Sequence, residues 1–194
     1  MRTHATMVHQ KFNLIVAACE NSGIGIKGNL PWRLKNELKY FNKMTKSTVD
    51  PTKKNAVIMG RLTYFGIPAS KRPLPDRLNI VLSTKSVADD YPDDVVLCSS
   101  LNEAMKKLSE TDLCSNIESI WICGGNSVYK EAMASDYCHR IYYTEIKAKF
   151  DCDAFFPDIP SSFQIVPNDE DVPSDEQEEN GLKYQYKIYE KQKP

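Results

Sequence analysis

Three stretches of this chain carry residues whose types and spacing could do chemistry. In Trp121-Ile122-Cys123-Gly124-Gly125-Asn126-Ser127-Val128-Tyr129, an apolar run reads as a buried strand and two glycines follow. Asn126 and Ser127 are then good N-caps, and the residues to Ala134 read as helix. Backbone without side chains lets an anion come close, and the first amides of the helix point at it. Gly60-Arg61-Leu62-Thr63, after the apolar Ala56 to Met59, repeats strand, glycine and helix start, with a cation and a hydroxyl in the first turn. Glycine at one such turn is ordinary. Two of them suggest two helix N-termini aimed at one diphosphate.

The third stretch is centred on Glu37. From Leu34 to Thr45 the pattern is helical. At about 100° per residue Leu38, Phe41 and Met44 share a stripe with Leu34, and Glu37 falls inside it, between Phe41 and Met44. Glutamate is almost never fully buried without a partner, so a carboxylate there either sits at the edge or is buried for a purpose. Just before it lies Gly23-Ile24-Gly25-Ile26-Lys27-Gly28, a literal G-x-G-x-x-G after the strand Phe12 to Cys19. The dinucleotide fingerprint needs a helix to open within that motif. Pro31 keeps Leu30 out of helix instead, which leaves a mobile glycine-rich loop with apolar teeth, suited to a lid.

These residues need elements to hold them. Buried strands are expected at Phe12–Cys19, Ala56–Met59, Leu78–Leu82, Val95–Cys98 and Ile120–Cys123, with helices after the glycine turns. A capping box at Ser100 and Glu103 opens a further helix. Ser83-Thr84-Lys85 ends a strand, where α/β sheets bind ligands. Ile141–Ile146 and Phe163–Val166 read as strands, and Ala154–Pro157 as an aromatic loop. Leu182–Glu190 alternates with period two, like an antiparallel edge strand. The fold class is α/β: a mainly parallel central sheet, helices on both faces, and an antiparallel C-terminal strand or hairpin. One domain is expected over 11–194, after a flexible tail at 1–10 without an apolar signal core.

Composition narrows the class. Hydrophobic residues at 41% and charged at 26% are ordinary for a soluble globular chain, and a net charge of −1 gives no basic footprint for nucleic acid. No apolar run approaches the ~20 residues a membrane span needs. Six cysteines without a C-x-x-C pair argue for a reducing compartment, by default the cytoplasm, and against a zinc site. Charge is unevenly placed: thirteen Lys and Arg stand against three acids from Lys27 to Lys85, while residues 169–182 hold seven acids and no base. The basic segment would steer a multiply anionic small molecule.

The ordered set Ile15-Val16-Ala17, Gly25, Leu30-Pro31-Trp32, Asn36-Glu37-Leu38, Tyr40-Phe41, Val57-Ile58-Met59-Gly60-Arg61, Thr63, Ile67-Pro68, Arg72-Pro73-Leu74, Arg77, Trp121 to Gly125, Val128-Tyr129 and Thr144 resembles dihydrofolate reductase of the longer, monofunctional eukaryotic type. The resemblance implies hydride transfer from NADPH to 7,8-dihydrofolate, no metal, a monomer, and antifolate inhibitors as further ligands. Glu37 would accept hydrogen bonds from the pterin, assisted by Thr144 and by a water near Trp32. Burial should raise its pKa. Ile15, Val16, Leu38, Phe41, Ile67, Lys71 and Leu74 would bind the rest of the substrate, and Arg77 its α-carboxylate, through a bidentate contact.

On the cofactor side the resemblance implies Ala17, Ile24 and Gly25 at the nicotinamide. Gly60, Arg61, Leu62, Thr63, Cys123, Gly124, Gly125, Asn126, Ser127, Val128 and Tyr129 would hold the diphosphate, across a cis Gly-Gly bond. Leu82, Ser83, Thr84 and Lys85 would flank the 2′-phosphate. At Leu62, Thr84 and Ser99 this chain is uncharged where relatives often carry a base, so Arg61 and Lys85 would carry the preference for NADPH. A related reductase of an aminated pyrimidine nucleotide and a catalytically silent folate-binding protein are the alternatives. Glu37 on the pocket stripe opposes the first, and Trp32 with Gly124-Gly125 the second.

Overall fold

The computed structural model describes residues 10–85, 91–110 and 113–192. In chain order the strands are β1 (Phe12–Cys19), β2 (Gly23–Gly25), β3 (Lys54–Gly60), β4 (Arg77–Leu82), β5 (Val95–Cys98) and β6 (Ile117–Ile122). They continue with β7 (Cys138–Ile146), β8 (Ala154–Phe155), β9 (Phe163–Val166), β10 (Gln177–Glu179) and β11 (Leu182–Lys191). The helices are α1 (Lys35–Lys46), α2 (Arg61–Gly66), α3 (Leu101–Glu110), α4 (Leu113–Asn116) and α5 (Asn126–Ala134).

The main sheet runs β10-β11-β7-β1-β6-β3-β4-β5, with β9 also paired to β11. Every pairing from β7 to β5 is parallel. β11 runs antiparallel to β7, β10 and β9. This is the expected α/β class. β11 is not the edge, however: its period-two pattern reflects two unlike faces, and the short strands β10 and β9 cover its outer side. Part of the segment read as an aromatic loop forms β8, which pairs with β2.

Alternation along β1 divides the core. Phe12, Leu14, Val16 and Ala18 face one side with Leu101, Ala104 and Leu108 of α3 and Val128, Ala132 and Met133 of α5. Ile15 and Cys19 face the other with Leu34, Tyr40 of α1 and Tyr64 of α2. The helix carrying Glu37 and the glycine turn before α5 therefore lie on opposite faces, meeting at the carboxyl ends of the central strands. The tail expected at 1–10 falls almost wholly outside the described residues. Gln10 is described, and its amide donates to the Glu118 carbonyl at 2.8 Å.

Candidate active site

Glu37 lies within the buried arc of α1, as its place between Phe41 and Met44 on the stripe implies. Leu34, Glu37, Tyr40 and Thr45 are buried, Phe41 and Met44 half-buried, and Leu38 is 45% exposed. Tyr40 had not been counted in the stripe, and it turns the inward face toward the carboxylate. Glu37 is 5% exposed, and Thr144 of β7, fully buried, donates its Oγ1 to Glu37 Oε1 at 3.2 Å. Burial pushes the Glu37 carboxyl up to about 7, with the Thr144 hydrogen bond opposing. The groups around it are phenols: Tyr40 and Tyr186 stack at 4.0 Å, and burial raises both, so they stay neutral. Trp32 is also buried, edge-on to Phe150, and no described protein atom accepts from its Nε1–H. A buried donor in that state is one that a ligand or water satisfies. A carboxyl titrating near neutrality can hold or release a proton at working pH.

The two glycine turns lie side by side. Gly60 N donates to Gly124 O at 2.8 Å, and Cys123 N to Ile58 O at 2.9 Å. Gly124-Gly125 is a cis peptide, and Gly124 has φ +120°, where a side chain is strained. A Cβ on Gly124 or Gly125 would stand 3.3 or 3.2 Å from Thr63 Oγ1 of α2, close enough that the Thr63 side chain would have to give by a few tenths of an ångström. Neither helix has a side-chain cap. α5 begins at Asn126 with Gly125 as N-cap, and Asn126 donates to the Phe155 carbonyl instead. The first amides of α5 thus have no side-chain acceptor, as an anion site requires. Tyr129 is buried, its hydroxyl donating to Ile15 O at 2.7 Å, and the Cys123 thiol is pushed by burial up to about 12.

Beyond this cradle, Leu62 is 72% exposed and Thr84 and Lys85 are exposed. Neither Arg61 nor Lys85 pairs with a carboxylate among the described residues. Ser83 makes a local turn, its hydroxyl donating to Lys85 O at 2.9 Å. Ser99 is engaged by Glu103, which accepts from its N and Oγ, both at 2.7 Å. That is half of the expected capping box: Glu103 N does bond Ser100 Oγ, but the carboxylate reaches Ser99. With the Ser99 hydroxyl as the largest cause and Lys107 helping, the Glu103 carboxyl is held down to about 2.

On the other side of α1, Arg77 is 7% exposed. Its Nη1 donates to Thr45 Oγ1 at 2.7 Å and Asn42 Oδ1 at 3.2 Å, and its Nε to Pro75 O at 3.0 Å. All these acceptors are neutral. Asp76 acts on the guanidinium only through space and no carboxylate is hydrogen-bonded to it among the described residues, which is costly for a buried cation, and none of its bonds uses Nη2. Phe41, Ile67 and Leu74 are half-buried, and Asn79 clamps the Leu74 backbone through both its amide groups.

The Dihydrofolate reductase family model matches residues 11–191. The chain is 65% identical to dihydrofolate reductase of Aedes albopictus, over 94% of this chain and 98% of that protein. It is 63% identical to that of Drosophila melanogaster, over 93% and 98%. The solved dihydrofolate reductase of Schistosoma mansoni superposes with a TM-score of 0.82 at 38% identity, covering 94% of this chain and 98% of that one. The chain belongs to the dihydrofolate reductase family.

In this dihydrofolate reductase family member Gly60, Ser83 and Gly124 follow or end β3, β4 and β6 at their carboxyl ends, Glu37 lies on α1 and Thr144 on β7, while Arg77 opens β4 at its amino end. The glycine-rich loop is better tied than its composition suggested. Lys27 N donates to Asp153 Oδ2 at 2.8 Å, Asp153 N to Gly25 O at 3.0 Å, and Phe156 N to Ser22 O at 2.7 Å. Gly66 packs so close to Gly28 O that a Cβ would approach to 2.4 Å. Thr45, Asn42 and Asn79 were not singled out from sequence. Thr45 could have been, since it falls within about 60° of Phe41 on the helical wheel; the two asparagines carry no periodic signal. Among the described residues no group of three or more His, Cys, Asp or Glu could hold a metal. No helix there is long and apolar enough to cross a membrane.

Proposed function

We infer that this chain reduces 7,8-dihydrofolate to tetrahydrofolate with NADPH, supplying one-carbon units for thymidylate and purine synthesis, as a cytoplasmic monomer. The observation that carries the reading is Glu37: one carboxyl, buried among phenols and apolar walls, and hydrogen-bonded among the described residues only by Thr144. A pterin presents a 2-amino group and an adjacent ring nitrogen, and a carboxylate accepts both. Thr144 orients the carboxyl, while Trp32 Nε1 remains to hold a water on the path to the pterin ring. Leu38, Phe41, Ile67 and Leu74 would line the aminobenzoyl site with Ile15 and Val16, and Arg77 would bind the glutamate tail, with exposed Lys71 nearby.

The cradle suits the cofactor, because bare backbone at Gly124 and Gly125 precedes the first amides of α5, which have no side-chain cap and can donate to phosphate oxygens. Gly60, Arg61, Ser127 and Val128 would complete it, and Ala17 and Ile24 would offer backbone to the nicotinamide. NADPH, when bound, supplies the hydride. The protein's own part is to keep water out and to retain a proton near the acceptor ring. The test is NADPH oxidation with dihydrofolate, followed by absorbance. Turnover should fall as pH rises through about 7, where Glu37 loses its proton. Absence of oxidation would overturn the assignment, and a flat profile the role of Glu37.

Cofactor choice gives a separate expectation. Among the described residues Arg61 and Lys85, with the hydroxyls of Ser83 and Thr84, would meet a 2′-phosphate, and Glu103 already occupies Ser99. NADH would leave those groups solvated at little cost, so preference should come from attraction and be screened by salt. The ratio of catalytic efficiencies for NADPH over NADH should shrink at high ionic strength and again in Lys85→Ala. A ratio indifferent to both would place the 2′-phosphate elsewhere.

A further inference from the structure

The acidic segment 169–180 has no role in the reading so far, and its last acid, Glu179, touches the helix that carries Glu37. Glu179 Oε1 accepts from Lys35 N and Oε2 from Asn36 N, each at 2.8 Å. These are the first two amides of α1, whose own N-cap, Leu34, has no side-chain acceptor. The neighbouring Asn180 donates its Nδ2 to Arg33 O at 2.9 Å. Asn180 and Gly181 form a two-residue hairpin turn with φ +54° and +75°, the primed geometry that holds paired strands in register. Glu179 is the last paired residue before that turn, opposite Leu182. β11 in turn pairs with β7, placing Tyr186 opposite Thr144. One hairpin therefore connects the strand that supplies the Thr144 hydroxyl to the helix end that supplies the Glu37 carboxyl.

We propose that Glu179 is a positioning residue for the reductase reaction: capping α1 from across the fold, it holds the first helical turn closed and so keeps Glu37 buried against Thr144. The inference rests on the reading of Glu37 as the proton-holding group. Without the cap, Lys35 and Asn36 amides lose their acceptor and the first turn frays. Leu38 N to Leu34 O, at 3.1 Å, is the helix's opening bond and would loosen with it. Water then reaches Glu37, and burial, the cause of its raised pKa, is relieved. The other titratable groups facing Glu37 are Tyr40 on α1, Tyr129 on α5, and Tyr184 and Tyr186 on β11, all raised by burial and neutral throughout. Glu179 itself is a half-buried carboxylate, kept below its usual range chiefly by the Asn36 amide.

The test is the single-turnover rate of NADPH oxidation with dihydrofolate from pH 5 to 9, at low and high salt, in wild type, Glu179→Gln, Glu179→Ala and Glu37→Asp. In Glu179→Ala the apparent pKa should fall by about one unit, lowering the rate at pH 7 by roughly fivefold and leaving pH 5 nearly unchanged. Glu179→Gln keeps one acceptor oxygen and should show about half that shift or less. It also serves if the alanine variant folds poorly. A profile that overlays wild type, even with a lowered Tm, would make Glu179 merely structural. Equal shifts in Gln and Ala that disappear at high salt would make it a through-space charge effect; either result overturns the proposal. If Glu37→Asp leaves the wild-type pKa unmoved, the Glu37 reading fails and this inference falls with it.

Discussion

Glu37→Gln will lose more than about a hundredfold in turnover at pH 7 and will gain thermal stability at alkaline pH. The first effect follows from what a positioned proton-holding group contributes, on the order of 10²–10⁴ in rate. Glutamine retains size and a hydrogen-bonding edge, yet it neither accepts two hydrogen bonds from a pterin nor carries the proton. The second effect follows from burial. The folded carboxyl titrates at about 7 against an ordinary 4.5. Its stabilising contribution is complete below about 4.5 and is lost as pH rises to about 7, above which a charge must stay buried. The span corresponds to about 3 kcal/mol, and glutamine escapes it. The Tm difference, variant minus wild type, should therefore grow by several degrees between pH 5 and pH 8. Thermal melts at both pH values together with a steady-state assay test the pair. Retained turnover, or a Tm difference independent of pH, would put Glu37 at a solvated edge.

Arg77→Leu will weaken dihydrofolate by about tenfold to a hundredfold while sparing a dihydropterin that lacks the glutamate tail. A hydrogen-bonded charge pair of this kind is worth about 1.5–3 kcal/mol. The geometry already provides for it: Thr45, Asn42 and Pro75 fix the guanidinium, and none of them neutralises it. Leucine removes the buried cation and leaves the Thr45 hydroxyl without its donor. Thr45 still has a local bond to Phe41 O at 2.8 Å, so α1 should survive. Dissociation constants for both ligands, measured by fluorescence quenching, decide the matter. Equal losses would mean that Arg77 supports the fold of the site rather than the tail.

Much of the site was legible in the order of short motifs. Strand, glycine, helix start occurs twice in the sequence and twice in the fold, because apolar runs and glycine turns are set by residues close along the chain. Glu37 was legible because helical periodicity is local too, and a carboxylate inside an apolar stripe stands out. The parallel sheet followed from apolar runs separated by helical stretches. What failed to show was whatever depended on partners distant in the chain. Asn126 and Ser127 looked like caps, but the Phe155 carbonyl draws Asn126 away. Glu103 looked like half of a capping box, but the Ser99 hydroxyl and amide offered a better-placed donor pair.

By itself, the sequence determined the element types, the two glycine turns and the presence of one acid on an inward helical face, since each depends on residues within a few turns of one another. Only the tertiary structure decided that Thr144, 107 positions away, supplies the hydroxyl to Glu37, and that Glu179 caps the helix that carries Glu37. It alone decided that Thr63 closes over Gly124-Gly125, and that Arg77 is buried among neutral acceptors. The physical reason is common to all four. Burial and hydrogen-bond partnership are set by which strands and helices pack together, and periodicity along one element carries no information about the element that will cover it.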